Sequence, residues 1–277
     1  MDKVCYNGKY LQKSKFSLSV NNRSFKYGDG FFETIRCLDG EPLFWEEHYF
    51  RIAASFSMMQ MTVPDIFDLD NFKELIQRLL FENNLEKDSA RIRISFFRSE
   101  GGYYLPESES VEFIIESKEL HSRNYELNID GLNVGLYRQN YLVKSSFSKL
   151  KSTNRLLNVL AAIYCRENYY DDSLLFNHDN HIVESVSGNV FISKDNTIYT
   201  PQLEDGCIDG VMRRILLNKT FPVKEKSISL SEVLNAEEVF LTNVISGVKW
   251  VERINNTRYK NSVSAQIVTM LNNDYLI

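Results

Sequence analysis

The chain has 277 residues, 43% hydrophobic and 25% charged, which excludes a disordered, collagen-like or low-complexity polymer and leaves room for one large domain or two ordinary ones. Lys and Arg total 32 against 37 Asp and Glu, a net charge of -5. That balance speaks against a nucleic-acid partner, because binding along phosphates calls for a basic excess. The N-terminus MDKVCYNGKYLQKSKF is charged throughout, and no run approaches the roughly 18 apolar residues of a bilayer span, so neither a secretory leader nor a membrane association is expected. Cys5, Cys37, Cys165 and Cys207 stand singly and read as reduced thiols of a cytoplasmic protein.

Apolar runs at Phe31-Cys37 and Pro42-Trp45, split by Asp39-Gly40, predict a β-hairpin. Helices follow over Trp45-Met59 and Asp70-Glu82, the second with Phe72, Leu75, Ile76, Leu79 and Leu80 on one face. Arg91-Phe97 and Val111-Ser117 have strand composition, and Lys118-Asn124 is a polar break. These features predict an N-terminal domain over 1-118, a linker over 119-124 and a C-terminal domain over 125-277. In the second part a strand at Leu127-Tyr137 leads to a helix over Thr153-Glu167, with Leu156, Leu157, Leu160, Ala161 and Tyr164 on one face. Short strands are expected at Ser173-Phe176, His181-Ser185, Asn189-Ser193, Thr197-Thr200 and Glu238-Thr242, with helices from Asp209-Gly210 and over Tyr259-Tyr275. The sum is an α+β chain in two domains, with mixed sheets and helices.

Chemistry-bearing patterns are few. GxxxxGK[ST] is absent, and Gly28-Asp29-Gly30 lacks the third glycine of a dinucleotide fingerprint. Ser146-x-x-Lys149 and Ser148-x-x-Lys151 fit a Ser-Lys nucleophile, but no SDN occurs and Lys219-Thr220 is followed by Phe221 rather than Gly. His178 and His181 flank Asp179-Asn180 and are explained by a hairpin turn, so no metal site is expected. Lys151 precedes Ser152-Thr153-Asn154, which read either as a helix cap beside a solvated lysine or as the setting of a reactive amine.

Five blocks in order resemble the class IV (fold type IV) pyridoxal-phosphate enzymes, which include branched-chain and D-amino-acid aminotransferases and aminodeoxychorismate lyase. FKYGDGFFETIRCLDGEPLFWEEHYFRI (Phe25-Ile52) is similar to the family's YGDGxFET hairpin and EHxxRL helix. KSTN (Lys151-Asn154) is similar to its lysine motif, VESVSGNVFI (Val183-Ile192) to its E-(x)4-N-F block, and GCIDGVMRR (Gly206-Arg214) to its LPGITR turn. AEEVFLTNVISGVKWV (Ala236-Val251) is similar to its final phosphate loop. The resemblance implies a two-domain, D-amino-acid aminotransferase-like fold, a homodimer, and pyridoxal 5'-phosphate held as a Schiff base by Lys151, the catalytic residue. It implies Glu184 facing the ring nitrogen, Ile208 on a ring face, and a phosphate held by Arg51, Gly210, Val211, Met212, Asn243 and Val244. Met212 and Val244 stand where the family often has threonine, which removes two hydroxyl contacts.

The reaction follows less directly. The Arg-x-His clamp of the D-amino-acid branch has no counterpart in Arg98-Ser99-Glu100-Gly101-Gly102-Tyr103-Tyr104, and Leu156 stands where the branched-chain branch has tyrosine. Gly101-Gly102 is similar to the lyase pattern. Phe32 and Tyr103 are the expected substrate contacts, and Phe32 has no hydroxyl to offer a carboxylate. Amino-group transfer between a branched-chain-like amino acid and a 2-oxo acid is expected. 4-Amino-4-deoxychorismate lyase, releasing pyruvate and 4-aminobenzoate, is the alternative, and a cofactor-free binding protein the remote one.

Overall fold

In the computed structural model, which describes residues 2-218 and 221-276, alternation along the expected hairpin strand builds the first sheet. Lys219 and Thr220, where a KTG triad was sought, lie outside the described residues. Strand β3 (Gly30-Leu38) pairs antiparallel with β4 (Glu41-Pro42) and with β5 (Ser89-Arg98), which pairs with β6 (Val111-Glu119). Strands β1 (Lys3-Tyr6) and β2 (Lys9-Gln12) complete a six-stranded sheet in the order β2-β1-β6-β5-β3-β4. Their hairpin turns at Asn7-Gly8, both at positive φ, the Asn-Gly pair that a tight two-residue turn favours.

One face of this sheet carries Phe31, Ile35, Ile92, Ile94, Phe96, Phe113 and Ile115 into a core with helices α2 (Trp45-Met58) and α3 (Leu69-Glu82). Asp68 caps α3 by accepting from the Asp70 and Asn71 N-H groups, and the helix buries Phe72, Ile76, Leu79 and Leu80. A short α1 (Arg23-Tyr27) ends at Gly28, whose φ of 67° is the left-handed stop that glycine supplies.

The remaining strands form a mixed sheet: β7 (Leu132-Leu142), β8 (Asp172-Asn177), β9 (His181-Ser185), β10 (Asn189-Lys194), β11 (Thr197-Pro201), β12 (Val223-Lys226), β13 (Ile228-Ser229), β14 (Glu238-Asn243) and β15 (Gly247-Ile254). Its order is β12-β11-β10-β14-β15-β7-β8-β9-β13, with β16 (Thr257-Arg258) on β15. β7 runs parallel to both β8 and β15, and β11 parallel to β12. Helices α4 (Leu156-Glu167), α5 (Val211-Leu217), α6 (Leu230-Leu234) and α7 (Ser262-Tyr275) accompany it.

By internal contacts the chain divides into two units. The first comprises the residues through Arg123 together with Leu150-Asn154, and the second comprises Asn124-Lys149 and everything from Arg155 onward. Strand β6 continues through Glu119, so pairing extends into the polar break.

Three elements start three or more residues later than expected, each for a local reason. β7 begins at Leu132 rather than Leu127, because Asn128 bonds the Trp250 backbone and a side chain at Gly131 would strike Glu252 and Trp250. α4 begins at Leu156 rather than Thr153, because Thr153 is bound elsewhere. α7 begins at Ser262, because Thr257-Arg258 pairs with β15 first. The buried face of α4 also turns: Ala161, Leu157 and Tyr164 pack on Tyr137 and Leu175, while Leu156 and Leu160 are exposed. No described helix is long and apolar enough to cross a membrane, and all four cysteines are buried free thiols.

Candidate active site

Each unit carries its own group of the expected residues. In the first, Lys151 lies on a segment pinned to the start of β3. The Phe32 N-H donates to the Lys151 carbonyl at 2.9 Å and the Thr153 N-H to the Gly30 carbonyl at 3.0 Å. Phe31 and Ser152 form an antiparallel bridge. The Thr153 hydroxyl lies 2.9 Å from the Gly28 carbonyl and accepts from Ser24 Oγ at 3.3 Å. This single bridge and the Thr153 bonds hold the lysine segment against the start of β3, and α4 starts only after Arg155. Ser148 Oγ donates to the Val143 carbonyl at 2.5 Å, a turn-stabilising bond rather than a nucleophile's arrangement.

The Lys151 side chain is 23% exposed, and its Nζ lies 4.0 Å from Glu33 Oε1 and 5.0 Å from the centre of the Phe32 ring. Glu33, only 2% exposed, occupies a position on the core face of β3 between Phe31 and Ile35. Its two oxygens take a two-point fork from Arg51, with Nε to Oε2 at 2.8 Å and Nη2 to Oε1 at 2.5 Å. His48 Nδ1 stands 3.3 Å from the same Oε1, yet neither ring nitrogen makes a hydrogen bond. Burial alone would push the Glu33 carboxyl up, but the charge of Arg51, with that of Lys151, holds it well below the usual range, so it is ionised. Burial pushes His48 down despite Glu33, leaving a neutral imidazole.

The opposite face of the sheet carries Phe32. Arg93 stacks its guanidinium over that ring at 3.8 Å, and no described residue accepts a hydrogen bond from it. Arg93 was not singled out in the sequence, although Arg91, Arg93 and Ser95 alternate with Ile92, Ile94 and Phe96 and so mark the face opposite the core. Glu33 was equally visible as a carboxylate where that alternation calls for an apolar residue.

Arg98 is occupied structurally. It bonds Asp29 at 3.0 Å, the Gln60 carbonyl at 3.0 Å and the Met59 carbonyl at 2.7 Å. Arg23 shares Asp29 and gathers the carbonyls of Gly101, Gly102, Tyr103 and Tyr104. Tyr103 is 85% exposed on that loop.

In the second unit Glu184 is buried on β9 and accepts from the Ile208 N-H at 3.0 Å. Burial pushes its carboxyl up, while Arg155, the Ile208 N-H and Asn158 oppose this. Arg155 and Asn158 are further residues that sequence reasoning missed. The Ile208 carbonyl accepts from Asn189 Nδ2 at 2.9 Å, and a Cβ at Gly210 would stand 2.0 Å from Asn189 Oδ1, so only glycine fits. Gly210 precedes α5, whose first N-H groups, at Val211 and Met212, have no carbonyl a turn back within the helix. The side chains of Met212 and Val244 are buried. Asn243 Oδ1 accepts from the N-H groups of Ile245 and Ser246 and so shapes the turn. The Thr242 hydroxyl beside it is buried with no hydrogen-bond partner among the described residues.

The sequence profile of the family described as amino-transferase class IV matches residues 30-254. The chain belongs to that family. It is therefore an enzyme of the pyridoxal-phosphate group, with transaminases and lyases as its relatives. A D-alanine aminotransferase of Staphylococcus haemolyticus is 25% identical over 92% of this chain and 89% of its own. An aminodeoxychorismate lyase of Vibrio harveyi is 28% identical over 85% and 86%. A branched-chain aminotransferase structure from Thermoproteus uzoniensis shares the fold at a TM-score of 0.87, with 21% identity over 97% of this chain and 93% of that one. A putative 4-amino-4-deoxychorismate lyase structure from Legionella pneumophila matches at 0.82, with 26% identity over 95% and 97%.

Proposed function

We propose that the chain transfers an amino group between an amino acid, an apolar one of branched-chain type first, and a 2-oxo acid. The observation that carries this is Arg93 over Phe32, a half-buried guanidinium with no hydrogen-bond partner among the described residues, beside the ring that Lys151 also faces. A fixed cation beside an apolar wall suits an amino acid's carboxylate next to an aliphatic side chain.

Within each unit the residues present suit a part of pyridoxal phosphate. Lys151 offers the amine and Arg51, its Nε and Nη2 already bound to Glu33, the positive charge of its guanidinium. Gly210, Val211 and Met212 offer backbone N-H groups for the phosphate, with Asn243 shaping the turn at Val244 and the Thr242 hydroxyl beside it. Ile208 offers an aliphatic side chain for the ring face. When bound, the cofactor supplies an electron-withdrawing ring that accepts charge from the substrate Cα. Glu184 holds the proton on the ring nitrogen, because a buried carboxylate is most stable beside a cation. Lys151 Nζ would take the proton from the substrate Cα and deliver it to the cofactor carbon that bears the amine nitrogen. Arg93 orients the substrate by its carboxylate, and Tyr103 marks a second contact. Arg98, committed to Asp29 and two carbonyls, is not free to clamp a D-amino acid.

4-Amino-4-deoxychorismate lyase activity is the second reading, favoured by the 28% identity to the Vibrio enzyme and by Gly101 and Gly102, both at positive φ. Borohydride should trap the cofactor on the Lys151 peptide, and trapping elsewhere would sink the assignment. A panel of L- and D-amino acids with 2-oxoglutarate, run beside aminodeoxychorismate, separates the reactions. Pyruvate and 4-aminobenzoate from the latter, without oxo acid from the panel, would replace the first reading by the second. A cytoplasmic homodimer completes the proposal, supported by Leu156, Val159, Leu160 and Ile163 exposed along one face of α4. Light scattering on the eluted protein reads its mass.

A further inference from the structure

The buried carboxylate of Glu33, beside Lys151, has no role in the proposal above. Glu33 faces Arg51 and His48 of α2 and Lys151 of the pinned segment, and Arg93 of β5 reaches the same lysine only across the Phe32 ring. Its surroundings are otherwise the apolar core of the first sheet. A carboxylate on that face costs a great deal unless charge partners compensate it, and two cations and an imidazole do so here.

We propose that Glu33 is a positioning residue that sets the charge on the Lys151 amine, with Arg51 as its fixed anchor. Three features separate this from a plain buried ion pair. The fork to Arg51 uses both Glu33 oxygens, so the carboxylate cannot swing away from Lys151 without breaking two bonds. His48 is held neutral, so it does not neutralise Oε1 on the side nearest the lysine. The Lys151 backbone is itself tied to Phe32, the residue before Glu33, which fixes the separation from the other end. Attack on a carbonyl needs the neutral amine, so a carboxylate at 4.0 Å that favours the ammonium decides the pH above which Lys151 becomes competent.

The inference rests on the reading of Lys151 as the attachment lysine, and its test does not use turnover. The full chain, stripped of cofactor, is labelled competitively with acetic anhydride across pH, and the Lys151 peptide is followed by mass spectrometry. In Glu33→Gln the labelling midpoint should fall by about one to three pH units, the effect of removing one charge at this distance in a poorly solvated site. Glu33→Asp, which keeps the charge but withdraws it by one methylene, should give a smaller fall in the same direction. If the glutamine variant does not fold, the aspartate variant decides alone. An unchanged or raised midpoint in a folded variant overturns the assignment. Cofactor trapped on another lysine in the parent chain would instead remove the reading of Lys151 while leaving the Glu33 measurement intact.

Discussion

Replacing Gly28 by alanine tests whether the lysine segment is held by the arrangement described. Gly28 sits at φ 67°, where an alanine costs about 1 kcal/mol. Its new Cβ would also stand 2.2 Å from Oδ1 and 2.8 Å from Cγ of Asn154, three residues beyond Lys151. That side chain must rotate away or the segment must move, and overpacking of this kind costs about 1-3 kcal/mol. The total expected is about 2-4 kcal/mol by urea unfolding. In an Asn154→Ala background the obstacle is gone, and only the backbone strain of about 1 kcal/mol should remain. Thr153 still reaches the Gly28 carbonyl in both backgrounds, so the segment stays docked. Cofactor trapping at Lys151 should fall in Gly28→Ala and recover in the double variant. Equal costs in the two backgrounds would refute the reasoning, since strain at Gly28 would then be the whole effect.

Further outcomes are expected elsewhere. Arg93→Gln should raise KM for the amino acid by about tenfold or more with a smaller change in kcat, and steady-state kinetics on the best substrate measures it. Glu184→Gln should reduce turnover by about a hundredfold or more if the carboxylate holds the ring-nitrogen proton, read from single-turnover rates. The same variant makes an opposite prediction for the cofactor-free protein. Burial raises the folded-state pKa of Glu184, so the folded protein holds this proton more tightly than the unfolded chain does. Stability from this group is then present below the ordinary carboxylate pKa and is lost as pH rises through the raised one. Glu184→Gln should therefore be the more stable protein at neutral pH, with the gap closing on acidification, as melting at several pH values would show. Glu238→Ala removes the buried carboxylate that accepts from Ser262 Oγ and the N-H groups of Val263 and Ser264 at the start of α7. It should cost about 2-4 kcal/mol in urea unfolding, and a loss below about 0.5 kcal/mol would contradict the capping role.

Periodic segments were legible because their signals are local. Helix α3 follows from Phe72, Ile76, Leu79 and Leu80 recurring at helical spacing behind an aspartate cap, and β3 and β5 follow from strict alternation. The boundaries that shifted lie where a side chain answers a distant partner instead of its neighbours. Thr153 resembles a helix cap in sequence, yet its hydroxyl and N-H go to Gly28 and Gly30, so the helix waits until Leu156. Leu156 and Leu160 fit an apolar face by spacing, but packing on β7 and β8 turned α4 toward Ala161. The site divides in the same way. Lys151, Arg51, Glu184 and Gly210 stand in recognisable blocks. Glu33, Arg93 and Asn158 had no motif to announce them and gained meaning only from what they touch.

Composition by itself excluded fibres, and five ordered blocks of residues determined the family and the cofactor chemistry, since those depend on residue types at fixed spacings. Tertiary structure alone decided that the Lys151 segment is pinned to the start of β3, that Arg51 is locked to Glu33, and that Arg98 is occupied while Arg93 makes no hydrogen bond among the described residues. Those outcomes depend on pairings between residues far apart in the chain. Spacing along one strand reports which face a residue takes, whereas only the folded chain reports what waits on that face.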